Sequence, residues 1–181
     1  MKKTLLVAAV TMLCAASPQK SIPPKAKRMP APARAAPALP IFDFMGANTE
    51  TPFAGLADIK GCDVEGVKTS CYGTSLVGES RVFLGRSFNK DVLYLVNAGF
   101  PNPQYLSLQQ VFRAKYGNPS KIEIRKWQSK AGATFDNTVI QWRFKGGVLE
   151  LESMGSKVGE GTFSYFNAAN APETAPPPVN F

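Results

Sequence analysis

Residues 106–151 read LSLQQVFRAKYGNPSKIEIRKWQSKAGATFDNTVIQWRFKGGVLEL. The hydrophobic period changes inside this stretch, and the change decides the fold. At its start Leu108, Val111, Phe112 and Tyr116 recur at steps of three and four, one apolar stripe of a helix. Ser107 and Gln110 have the spacing of a capping box, and Leu106 and Val111 stand at the flanking staple positions. Gly117 suits the left-handed residue after a helix, and Pro119 forbids continuation. The spacing therefore predicts a helix over about 107–116 with a buried stripe. Beyond Pro119 the period drops to two. Lys121–Trp127, Asn137–Phe144 and Val148–Ser153 read as strands. Gly146-Gly147 reads as a two-residue hairpin loop, which pairs Phe144 with Leu149, Trp142 with Leu151 and Arg143 with Glu150.

Working outward, Gly161–Phe166 is a further strand, and Ser80–Phe88 and Asp91–Val96 form a pair turning at Asn89-Lys90. Cys62 and Cys71 flank a segment symmetric about Gly66-Val67. A two-residue loop there, with glycine first, makes a type II′ turn and sets Cys62 opposite Cys71 as a non-hydrogen-bonded pair. That geometry permits a disulfide. Strands, one helix, then strands imply an α+β domain. The expectation is an antiparallel sheet of about six to eight strands with one main α-helix packed on one face.

The ends of the chain differ in composition. Lys2 and Lys3 precede a largely apolar run, Thr4–Ala16, with small residues at its end, the layout of a signal peptide over residues 1–16. Cys14 offers an alternative, lipid anchoring. Residues 17–40 hold seven prolines and no aromatic residue, the composition of an extended, disordered linker. The single domain is expected over 41–167, where the tryptophans, the tyrosines and nearly all phenylalanines lie. Residues 168–181, ending ETAPPPVNF, read as a second proline-rich tail. The protein is thus expected to be exported, periplasmic or secreted.

The chain has 181 residues, a formal net charge of +8 and no histidine. Lacking histidine, it cannot build Ser-His-Asp or Cys-His nucleophilic sites, or zinc sites that use histidine. The charge is concentrated at the front. Lys20, Lys25, Lys27, Arg28 and Arg34 lie in the linker without a single acid, whereas from residue 41 there are 14 basic and 13 acidic residues. The folded part therefore offers no electrostatic footprint for nucleic acid. Its basic arm can make weak contact with an anionic membrane surface.

Glu150 and Glu152 project from one strand face, where two carboxylates can serve hydrolysis or hold a hard metal. Arg143, Glu123, Arg125 and Gln141 share that face, which reads better as a solvated polar surface. No catalytic, cofactor-binding or metal-binding set is assigned. Three aromatics are candidates for a binding surface. Phe100 and Tyr105 belong to the loop AGFPNPQY at 98–105, stiffened by two prolines. Trp127 falls out of phase with Ile122 and Ile124, which puts it on the polar face unless a bulge returns it to the core.

The order of a helix, Tyr116-Gly117-Asn118-Pro119, a strand ending at Trp127, and Trp142-Arg143-Phe144 before Gly146-Gly147 loosely resembles the SmpA/BamE-like outer-membrane accessory proteins. The resemblance covers about a quarter of the chain and implies a role in envelope assembly through protein contacts. Strands replace the paired helices that the family carries upstream, so membership is not assigned. The sequence points to a non-enzymatic, exported binding or structural module of a bacterial cell envelope, needing no cofactor. Its expected partner is an envelope protein or polymer. An exported inhibitor of an envelope-active enzyme is the first alternative, and a carboxylate-dependent hydrolase the second.

Overall fold

A computed structural model describes residues 37–129 and 131–173. The proposed signal peptide, most of the linker and the last eight residues lie outside the described residues. The chain opens with a short hairpin, β1 (Asp43–Phe44) and β2 (Ala47–Asn48). A 3-10 turn at Ala54–Asp58 leads into a meander of β3 (Cys62–Glu65), β4 (Lys68–Val77), β5 (Ser80–Asn89) and β6 (Val92–Pro101). The one α-helix among the described residues, α1 (Tyr105–Tyr116), follows. A second meander returns as β7 (Lys121–Gln128), β8 (Thr134–Phe144), β9 (Gly147–Glu152) and β10 (Glu160–Asn167). β10 pairs with β6, so both meanders join in one antiparallel sheet of eight strands, ordered β3-β4-β5-β6-β10-β9-β8-β7. The α+β class and the strand–helix–strand order are as the sequence implies.

The helix covers one face of this sheet. Leu108 and Phe112 are fully buried, and the Phe112 ring meets Trp142 and Phe163 edge-on at 5.8 and 5.1 Å. The β1–β2 hairpin covers the same face beside it. Phe42 stacks on Tyr165 with ring centroids 3.8 Å apart, and Phe44 and Ala47 are buried with it. Two polar links tie helix, hairpin and sheet together. The Tyr116 hydroxyl donates to the Asp43 carbonyl at 2.7 Å, and the Trp142 indole donates to the Gly117 carbonyl at 3.0 Å. Burial and the Asp43 charge both push the Tyr116 hydroxyl pKa up.

The cysteine hairpin is as the sequence specifies. Cys62 stands opposite Cys71 and Glu65 opposite Lys68. Gly66 has φ +61, the sign that the turn requires. The disulfide closes between Cα atoms 4.0 Å apart, and a disulfide persists in an oxidising compartment. No described helix is long and apolar enough to cross a membrane.

Elsewhere local signals yield to tertiary contacts. The helix begins at Tyr105, and Ser107 lies within its first turn and caps nothing. A 3-10 turn at Asn102–Gln104 starts it instead, pinned by the Asn102 amide, which donates to the Ser153 carbonyl at 2.6 Å. Leu106 is 66% exposed, and Tyr105 takes the buried place that the staple gave to it. The β8–β9 loop is Lys145-Gly146, so Trp142 faces Leu149, Gln141 faces Glu150, and Arg143 faces Val148. A Cβ on Gly147 would collide with the Phe166 carbonyl and lie 2.8 Å from the Tyr165 ring. Gly147 is therefore needed inside the strand, where β10 passes close, while Gly146 with φ +85 serves the turn. The β5–β6 turn is Lys90-Asp91, both at positive φ. A bulge at Ser87/Phe88 takes up the extra residue. At the C-terminal end the Asn170 amide donates to the Thr49 carbonyl at 2.6 Å. The chain is thus still docked at the start of the stretch read as a loose tail.

Candidate functional site

The face of the sheet away from α1 has no helix or hairpin over it among the described residues. Its surface follows from register. One row runs Phe83, Gly99, Thr162, Glu152, Val139, Glu123 across β5, β6, β10, β9, β8 and β7. The adjacent row runs Tyr72, Gly85, Asn97, Ser164, Glu150, Gln141 from β4 to β8. Small residues on β6 and β10 make a low floor. Phe83 and Tyr72, 63% and 48% exposed, stand along one side. A group of carboxylates and amides stands along the other. Because strands repeat at about 4.8 Å, the floor between Phe83 and Glu152 spans roughly 14 Å.

The polar side is a connected network. The Gln141 amide and the Arg125 guanidinium both donate to Glu150, the latter at 3.4 Å. Arg125 also pairs with Glu123, which Lys121 contacts as well. The hydrogen bond from Lys121 lowers the Glu123 pKa. The Asn137 amide donates to Glu152 at 2.7 Å. Asn137 itself is buried, and its carbonyl oxygen accepts from the Met154 N–H at 2.9 Å and the Ser153 hydroxyl at 3.2 Å. Asn137 is thereby fixed, and it fixes Glu152. Burial raises the Glu152 carboxyl pKa, with Glu150 adding to the rise. Glu150 and Glu152 do project from one face, but Gln141 and Arg125 hold Glu150 where Arg143 was expected.

Trp127 lies on this face beside Arg125. The β7–β8 register runs unbroken to Gln128, so no bulge turns it back. It is half-buried, its ring 5.8 Å from Phe135. Phe100 and Tyr105 are elsewhere. β6 continues through Pro101 because Gly161 and Glu160 pair with it, and alternation carries Phe100 into the core at 2% exposure. Tyr105 is buried at the helix start, its hydroxyl donating to the Thr138 carbonyl at 3.2 Å. Burial pushes that hydroxyl's pKa up to about 12. Neither ring is available on a surface loop. The alternation of Val96, Ala98 and Phe100 was the available signal, obscured by the two prolines that follow.

Phe83 and Tyr72 were not singled out from sequence. Phe83 sits in an apolar run, VFLG, that does not say which face is open. Its cross-strand neighbours, Thr74 and Gly99, leave it uncovered. Tyr72 lies over Gly85, where a Cβ would come 3.0 Å from the ring.

A separate shallow depression of about 620 Å³ lies at one end of the sheet, lined by Glu50, Asn89, Lys90, Lys145 and Asn170 among others. Lys145 and Glu50 pair across it at 2.6 Å. Among the described residues no three acidic or thiol groups converge as metal ligands. No protein-family model, curated protein or solved structure matches the chain.

Proposed function

We propose that the protein is an exported, non-enzymatic binding module of a bacterial cell envelope, and that it binds through the open face of its sheet. The observation that carries this reading is the asymmetry of cover. One face is covered by α1 and the aromatic hairpin except at edge strand β7, where Ile122 and Ile124 stay exposed, while the other presents Phe83 and Tyr72 opposite an ordered group of carboxylate, amide and guanidinium side chains. Exposed aromatic rings supply contact area at low entropic cost, and pre-ordered polar groups supply orientation. Glu150 and Glu152 each accept from a fixed neighbour, which suits recognition better than proton transfer to a substrate. The disulfide and the signal-like residues 1–16 support export to the periplasm or beyond. The basic arm at residues 17–40 supports placement near anionic envelope surfaces.

The test is retention of an envelope component on immobilised protein, comparing the native chain with Phe83→Ala and with Glu152→Gln. Loss of the retained component in both variants, with unchanged circular dichroism, supports the reading. Equal retention by all three refutes the open face as the binding surface. Turnover of an envelope polymer that Glu152→Gln abolishes would refute the non-enzymatic reading.

A further inference from the structure

The sheet has two edges, and they are finished differently. β7 forms one edge and carries Lys121, Glu123, Arg125 and Lys126, the alternating charge that discourages a further strand. The other edge is formed by β3, but β3 is only four residues long and ends where Cys62 meets Cys71. β4 runs on for six more residues, paired only with β5. The last link on its outer side is the Tyr72 N–H to the Gly61 carbonyl at 3.2 Å. Gly73–Val77 reads GTSLV, without a charge or a proline.

Alternation fixes which backbone groups are left over. Tyr72 points its N–H toward β3, so Thr74 and Leu76 point theirs the same way, beyond the end of β3. Gly73, Ser75 and Val77 point to β5. The N–H and C=O of Thr74 and Leu76 therefore have no strand partner among the described residues. On the open face the same two residues stand beside Phe83, and Leu76 is 60% exposed.

We infer that this edge is a pairing site for a second copy of the same chain. With a two-fold axis through Ser75, the two β4 strands run antiparallel and Thr74 lies opposite the partner's Leu76. Thr74 and Leu76 are the residues with outward backbone groups, so each such pair exchanges two hydrogen bonds, and the axis repeats the pair. The ladder is confined to Gly73–Val77, because the outer side of Tyr72 is already taken by Gly61. Leu76 of the partner subunit joins the row of Phe83 and Thr74, so apolar side chains left open on each copy meet across the axis. The chain's own basic segment is a poor occupant, because its prolines lack the N–H that a strand ladder needs. The inference is independent of the ligand proposed above, since it uses the backbone of one edge.

Sedimentation of the full chain from micromolar to millimolar concentration tests it. A reversible shift from monomer to dimer is expected. Leu76→Lys, which puts a charge on the edge at an exposed position, should leave a monomer with an unchanged thermal transition. Ser75 opposite its own copy is a non-hydrogen-bonded pair, with Cα atoms at roughly 4.5 Å, within disulfide reach. Ser75→Cys should therefore give a dimer under oxidation linked through residue 75, as mapped by mass spectrometry. Thr74→Cys should not, being opposite the partner's Leu76. A chain that stays monomeric throughout overturns the inference, and so does a dimer that persists in Leu76→Lys or links equally through residue 74.

Discussion

Phe42 precedes the first strand, yet the packing makes it part of the main core. Its ring is fully buried, stacked on Tyr165 at 3.8 Å, edge-on to Phe144 at 5.0 Å and tilted on Tyr116 at 5.8 Å. Replacing it with alanine removes the plug from one end of the helix-covered face. Phenylalanine-to-alanine changes in such cores cost about 3–5 kcal/mol, including the cavity left behind. The partners here are rigid rings on β8, β10 and α1, which cannot collapse into the gap, so about 4 kcal/mol is expected. A domain of this size has about 5–15 kcal/mol in total. Urea unfolding followed by tryptophan fluorescence measures the loss. With a slope of about 2 kcal/mol per molar, the midpoint should fall by about 2 M at constant slope. Met45→Ala, in the exposed turn of the same hairpin, should change stability by less than about 0.5 kcal/mol. A Phe42→Ala loss below about 1 kcal/mol would refute the claim that residues 41–48 seal the core.

Three other perturbations probe other parts of the fold. Replacing Cys62 and Cys71 with alanine opens a loop of sequence separation 9, which on the chain-entropy account costs about 2.7 kcal/mol; thermal unfolding should show a fall near 10 °C, and no change would argue that the bridge does not form. Gly147→Ala should be costly, by about 2–3 kcal/mol, because its Cβ meets the β10 backbone, whereas a turn centred on 146–147 would leave it solvent-facing and nearly neutral. Glu152→Gln should stabilise the fold at neutral pH. Burial raises the folded carboxyl pKa, so the protonated form is favoured by folding, and stability falls as pH rises from the ordinary glutamate value through the folded one. The gain over the native chain should therefore be present at pH 7 and vanish below pH 4, and urea midpoints that show the opposite trend would refute the burial account.

Much of the fold was written locally. Apolar period three to four over 108–116, period two on either side, and the symmetric cysteine segment required only neighbours in sequence, so helix, strands and disulfide could be read directly. Registers were less secure. The β8–β9 hairpin is displaced by two residues from its expected pairing, yet every side chain keeps its face, because the strand period is two. Gly146 and Gly147 are equivalent as turn residues, and only the approach of Phe166 and Tyr165 separates them. The capping box at Ser107 lost to the burial of Tyr105, which no spacing within the helix could announce.

The open face divides in the same way. Alternation alone grouped Glu123, Arg125, Gln141, Glu150 and Glu152 on one surface, while Trp127 was left between that surface and a bulge into the core until the unbroken β7–β8 register placed it. It could not say that Phe100 is core while Phe83 is bare, since both are phenylalanines in apolar runs. That outcome depends on β10 closing against β6, a pairing between segments some sixty residues apart. The sequence by itself determined which residues share a face, because periodicity is a property of neighbours. Only the tertiary structure decided which face is covered and which edge is left open, because cover is a matter of contacts distant in the chain.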